Sequence, residues 1–454
     1  MAVDLQAPPP PRAARAAVAA LFFTNGALFA SAVPRYPEIK ADLGLSNGAL
    51  GAAIAAFPLG ALLLGLTATA LVGRFRSRRV AVVGILVLGA VLALVPFAPR
   101  WGLLAAVLFV AGGIDAVVDV AQNAHGLRVQ RRYGRSIVNA LHGLWSVGAV
   151  VGGLVGAALA GLEVPLPAHF IGAAVVAGAI ALVADRHLLP GPDDRERVPG
   201  LEAADASADA SGTEPASPPD ASADAPAIGA EKRPDASADA SGGDIEASPA
   251  VVAGGLRTAD RAVLLGLLAL GLLAACGASV EDAGSSWGAV YLRDERGASA
   301  AVAGLAFVAL QSAMTVGRLT GDRLMDRFGQ RAVVRTGGLV AAIGMGAALL
   351  VPTTATTLLG YVAAGLGVAT LIPAAMHAAD ELPGLPAGLG LTVVSWMLRV
   401  GFLLSAPLVG AVADATSIRV GLASVVLTGV AIVALSRTLA RRPAASSAPA
   451  SAVA

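Results

Sequence analysis

Roughly a dozen apolar stretches of about twenty residues, gathered into two groups by one long polar insert, constrain this chain more than any other feature. Ala16–Val33, Leu50–Val72, Val80–Val95 and Val263–Val280 are examples with almost no internal charge. A backbone in hydrocarbon must satisfy its own N–H and C=O groups, so each stretch is expected to be a membrane-crossing α-helix. Hydrophobic residues make up 56% of the 454 and charged residues 14%, a balance outside the range of soluble proteins. The single cysteine, Cys276, excludes an intramolecular disulfide or a thiolate cluster and reads as a small packed hydrophobe. The first apolar stretch lacks a small-residue cleavage signature and is expected to be retained.

The expected spans are about 15–35, 48–72, 80–97, 102–126, 137–162 and 168–188, then 262–284, 299–325, 332–351, 357–377, 388–412 and 418–439. The fold class is therefore all-α and polytopic, with twelve transmembrane helices in two six-helix bundles. Arginines set the orientation: Arg74, Arg76, Arg78 and Arg79 follow helix two, Arg128, Arg131, Arg132 and Arg135 follow helix four, and Arg323, Arg327, Arg331 and Arg335 surround the loop after helix eight. Those loops, and with them both termini, are expected on the cytoplasmic side of the cell membrane.

The reading divides the chain into a cytoplasmic tail (1–14), a six-helix bundle (15–189), an acidic cytoplasmic linker (190–258), a second six-helix bundle (259–439) and a cytoplasmic tail (440–454). The linker repeats Asp-Ala-Ser-Ala-Asp-Ala from Asp205, Asp220 and Asp235. Its few large apolar residues cannot offset the entropy of ordering, so it is expected to be a disordered tether. A more informative repeat relates the halves: Leu154-Val155-Gly156-Ala157 recurs as Leu408-Val409-Gly410-Ala411, and Gly73-Arg74-Phe75-Arg76-Ser77-Arg78 aligns with Asp326-Arg327-Phe328-Gly329-Gln330-Arg331. Parallel halves of this kind suit alternating access around a central site.

The run Gly321-Asp322-Arg323-Leu324-Met325-Asp326-Arg327-Phe328-Gly329-Gln330-Arg331 resembles the charged loop of the major facilitator superfamily. Asp119-Val120-Ala121-Gln122-Asn123-Ala124-His125-Gly126, followed by Leu141-His142-Gly143-Leu144-Trp145-Ser146, resembles a branch near the fucose-permease-like and MosC-type bacterial membrane proteins. The resemblance implies a transporter, with Asp322, Arg323, Asp326, Arg327 and Arg331 in an inner latch. The first-half loop departs from the pattern, with Gly73 in place of an aspartate and Arg76 in place of a glycine. The latch is accordingly expected to be asymmetric.

Charged groups at membrane depth usually face a cavity or a partner. Asp115 and Asp119 share a face of helix four, which Gln122 extends. By helical rise they lie about 21 Å and about 27 Å from Trp101. Asp115 is the first candidate for a substrate or proton site, because a carboxylate whose exposure changes during a cycle can bind and release a proton. Asp119 reads as a partner for inner-loop arginines. Arg399 lies about 18 Å along helix eleven, near the midplane, where snorkelling is costly. Trp396 shares its face, and Gln311 and Asn25 are neutral mid-membrane groups suited to a polar solute. Asn139, His142 and Trp145, with Asn123 and His125, are expected to line an inner gate. Glu281 and Asp282 are expected near the outer surface and solvated. The histidines lack companions at metal-ligand spacing.

These expectations converge on a secondary transporter of a small polar solute, of a sugar or polyol kind, with the proton as candidate coupling ion, symport as one mode and the direction of transport open. Its partners are that solute, protons and the lipid bilayer; no cofactor, metal, nucleic acid or second subunit is called for. Neither a P-loop nor a nucleophile triad occurs at usable spacing, so no enzymatic activity is expected. Drug or metabolite efflux by proton antiport is the alternative, and a receptor or scaffold that kept the fold without transport is the rival from another class.

Overall fold

A computed structural model describes residues 11–193, 260–386 and 388–439. The expected tails and nearly all of the expected linker lie outside the described residues. Among the described residues twelve helices are long and apolar enough to cross a membrane. We number them α1 (Pro11–Asp42), α2 (Asn47–Phe75), α3 (Ser77–Phe97), α4 (Trp101–Tyr133), α5 (Val138–Gly161), α6 (Leu166–Asp185), α7 (Arg261–Asp294), α8 (Ala300–Phe328), α9 (Gln330–Leu350), α10 (Thr354–Asp380), α11 (Leu389–Ala415) and α12 (Ile418–Thr438). The element order gives two six-helix bundles, α1–α6 and α7–α12. Several helices outrun their expected spans: α1 starts at Pro11, and α7 continues ten residues past 284. Pro190 and Asp193, assigned to the linker, are instead held by side chains of the first bundle.

With no water to expel between helices in lipid, close backbone approach does the packing. In the first bundle, Gly148, Gly152 and Gly156 of α5 lie directly on α1. A Cβ at any of them would collide with the carbonyl oxygens of Phe23, Ala27 and Ser31 respectively. That contact accounts for the glycine stripe read from the sequence.

The halves meet mainly along α2 with α11 and α5 with α8. On the second seam Gly161 faces Ala301, Ala157 faces Gly304, and Gly153 faces Phe307. All three lie towards the end of the molecule opposite the termini, here called the far end. There Lys40 Nζ reaches Asp294 Oδ2 at 2.6 Å. Asp414 of α11 accepts the Asn47 and Gly48 N–H groups at the start of α2, each at 2.8 Å. A carboxylate from one half thus caps a helix of the other, where the first N–H groups have no intrahelical acceptor.

Between those two helices sits Trp287 of α7, 0% exposed. A Cβ on Gly51 or Gly410 would approach its Cζ2 at 3.1 and 3.0 Å. The far end is therefore closed by an indole lodged between two glycines. At the termini end, by contrast, Arg74, Arg76, Asn139, Asp322, Arg323, Asp326 and Arg327 are all exposed.

Candidate functional site

Polar side chains from both halves meet below the closed far end. On α4, Asn123 Nδ2 donates to Asp119 Oδ1 at 3.1 Å, while Asn123 Oδ1 lies 3.0 Å from His142 Nε2 on α5. The His142 ring also packs edge-on against Phe22 of α1, centroids 5.3 Å apart. Across the seam, Arg318 of α8 acts electrostatically on His142. Arg318 Nη2 in turn lies 3.6 Å from Glu281 Oε2 on α7. The order Asp119, Asn123, His142, Arg318, Glu281 traces a polar path from one bundle to the other.

Helical periodicity explains the meeting. Ala301, Gly304, Val308, Gln311, Thr315 and Arg318 recur at three- and four-residue steps and share one face of α8. Its far-end members pack on α5, so the polar members continue the same seam. Gln311 is 3% exposed and its Nε2 has no hydrogen-bond partner.

Four further expected residues lie inside the bundles or at their seams. Asn25 is 2% exposed with an unpartnered Oδ1. It lies one turn from Leu21, whose carbonyl accepts from Gln122 Nε2 of α4 at 3.2 Å, which sets Asn25 at the level of Asp119 on the antiparallel helix. Asp115 Oδ1 is buried without a hydrogen-bond partner, and the charge acting on Asp115 is that of Asp119. Arg399 is half-buried seven residues before Ala406, on the α11 face that meets α2. Trp145 is half-buried at the core of the first bundle.

Other expected residues lie at or near the surface. Trp396 is 43% exposed. Asn139 is exposed, about one turn of α5 before His142. Asp322, Arg323, Asp326 and Arg327 are exposed on the last turns of α8, and Arg327 lies over the Phe328 ring at 5.3 Å, while Arg331 is half-buried at the start of α9.

Glu281 and Asp282 are not solvated near an outer surface. The expected span ended at 284, whereas α7 runs on to Asp294, so both acids lie deep in the helix. Glu281 pairs with Arg318. Asp282 Oδ1 accepts from Ser286 Oγ at 3.1 Å, and its Oδ2 is buried without a partner. Arg318 went unnoticed in the sequence, although its four-residue spacing from Asp322 and its place on a mostly apolar face were a usable signal.

His125 does not line a gate. It is 0% exposed inside the first bundle. Its Nδ1 lies 3.0 Å from Ser77 Oγ, which donates to Asp193 Oδ1 at 2.6 Å, and its Nε2 accepts from the Leu189 N–H at 3.2 Å. Arg128 Nη1 reaches the same Asp193 oxygen at 3.0 Å. Serine, histidine and aspartate thus meet in space, with the polarity reversed from a nucleophile triad. The serine proton points at the carboxylate and the histidine acceptor is already used, so the cluster is a brace between α3, α4 and the chain leaving α6.

The family pattern described as Major Facilitator Superfamily matches residues 18–280 and 252–454. An uncharacterised MFS-type transporter of Yersinia pestis is 25% identical over 420 residues, covering 92% of this chain and 94% of that protein. The membrane protein MosC of Rhizobium meliloti is 25% identical over 420 residues, covering 92% and 88%. The crystal structure of the nucleoside transporter NupG superposes with a TM-score of 0.66 at 13% identity, covering 93% of this chain and 97% of that one; at that identity the likeness is one of fold.

Proposed function

The chain belongs to the major facilitator superfamily, and from that premise we propose that it is a proton-coupled secondary transporter of a small polar solute rich in hydroxyl groups, of the sugar, polyol or nucleoside kind. The observation that carries this reading is the polar path between the halves. Asn25, Gln311 and His142 offer neutral donors and acceptors, Glu281 and Arg318 a charged pair, and Asp115 an acid, all below a closed far end. Unpartnered buried amides are costly unless something else satisfies them. A hydroxylated solute supplies both donors and acceptors.

Both termini lie in the cytoplasm of a bacterial cell and the far end faces outward, by the distribution of arginines. The conformation is then inward-facing. The exposed Asp326 and Arg327 are latch groups that close when the molecule rocks to the outward-facing state. The polar tether between the halves supplies reach and solubility.

Uptake into liposomes under an imposed proton gradient tests the proposal. A panel of labelled sugars, polyols and nucleosides is expected to include one that accumulates, and does so only with the gradient. Accumulation of none of them, with expulsion of apolar dyes instead, would favour efflux.

A further inference from the structure

Asp282 has no place on the path just described, yet it is the better-equipped of the two carboxylates whose buried oxygen lacks a partner. Ser286 Oγ donates to its Oδ1. Ser405 of α11 and the Ala406 backbone lie alongside, but Ser405 Oγ donates to the Ser279 carbonyl at 3.0 Å. Both serine protons are therefore spent, and each hydroxyl is left as an acceptor. Pro407 lies inside α11; lacking an N–H, it frees the Leu403 carbonyl one turn earlier. Ser286 is 3% and Ser405 5% exposed.

The facing groups are few. Glu281 is the adjacent charge and is held by Arg318. From the first bundle, Tyr36 of α1, 9% exposed, senses Asp282 across the seam. From α11 come Ser405 and the Ala406 backbone N–H. The nest thus sets the unpartnered Oδ2 of one carboxylate beside two hydroxyl oxygens and the Ala406 N–H, where α7, α11 and α1 meet. It lies about 7–8 Å along α7 from Trp287, the plug of the far end.

We infer that Asp282, Ser286 and Ser405 form a monovalent-cation site, taking a proton or a sodium ion, whose occupancy favours closure of the far end. The chemistry is common to both ions: a proton adds to the free Oδ2, or sodium is ligated by it with hydroxyl and carbonyl oxygens, and either neutralises the carboxylate between the halves. The inference rests on the transporter reading and adds to it a cation site separate from Asp115.

Thermal unfolding of the purified full chain, without solute or gradient, tests it independently of transport. One arm replaces N-methylglucamine chloride by sodium chloride at constant ionic strength and neutral pH; the other lowers pH without sodium. The wild type is expected to gain several degrees in one arm, which identifies the ion, and Asp282→Asn to lose that gain. Ser286→Ala with Ser405→Ala, which spares the carboxylate, is expected to raise the half-maximal cation concentration several-fold, and carries the test should the first variant not fold. An equal gain in Asp282→Asn, an unchanged half-maximal concentration in the double variant, or no gain by the wild type in either arm would overturn the site. Failure of every solute to accumulate in liposomes while the cation response persists would instead remove the transporter reading and leave the site standing.

Discussion

Arg76 adopts the backbone conformation of Gly329, with φ 74° and ψ 147° against φ 83° and ψ 149°. The two residues hold the same place in the two halves, each ending one long helix and opening the next. Glycine reaches that region without cost; a side chain there costs about 1–3 kcal/mol. Arg76→Gly is therefore expected to raise stability by about that amount, and Gly329→Ala to lower it. Unfolding midpoints of the purified variants decide the matter, and a destabilised Arg76→Gly would mean that the arginine side chain contributes more than its backbone strain removes.

The far-end plug gives a second expectation. Gly51→Val places a branched side chain against the Ala406 carbonyl and the Trp287 ring, where even a Cβ does not fit. The variant is expected to populate the far-open state, read as faster labelling of Leu45→Cys by a membrane-impermeant thiol reagent in a Cys276→Ser background. Trp287→Phe acts in the same direction, because phenylalanine lacks the Cζ2 atom lodged between Gly51 and Gly410 and leaves a cavity there. Faster labelling than the parent is the expected result, and equal rates in all three proteins would rule the plug out.

These features differ in how far the sequence foretold them. Two bundles of six helices follow from apolar length alone, because a lipid-embedded backbone has one economical solution. The resemblance between Gly73–Arg78 and Asp326–Arg331 located equivalent turns, and the structure gives them equivalent dihedrals. Asn123 and His142 were legible as neighbours from helix faces. Asp282 and Arg318 were not, for two physical reasons: hydropathy ended the helix at 284, so that Glu281 and Asp282 read as terminal although α7 runs on to Asp294, and pairing across helices depends on which faces meet. His125 shows the limit from the other side, since residue type and depth suited a gate while its surroundings make it a brace.

The Glu281–Arg318 pair is a measurable contribution to the path. Arg318 is 36% exposed at the side chain and the separation is 3.6 Å, so the coupling falls well short of the 3–5 kcal/mol lost on breaking a fully buried pair. A double-mutant cycle with Glu281→Gln and Arg318→Gln is expected to give on the order of 1 kcal/mol. Transport is expected to fall further in Arg318→Gln than in Glu281→Gln, because only the arginine also faces His142. Equal losses would detach Arg318 from the seam between the halves.

Asp115 carries the remaining expectation. Its Oδ1 is buried without a hydrogen-bond partner, and Asp119 stands one turn on along α4. The amide of asparagine copies the shape of the acid without being able to titrate. Asp115→Asn is therefore expected to abolish accumulation driven by a proton gradient while solute exchange at equal concentrations continues at a reduced rate. Counterflow and gradient-driven uptake in the same liposome preparation separate the two activities. Normal accumulation by this variant would return Asp115 to a structural role and leave Asp282 as the residue to which coupling is assigned.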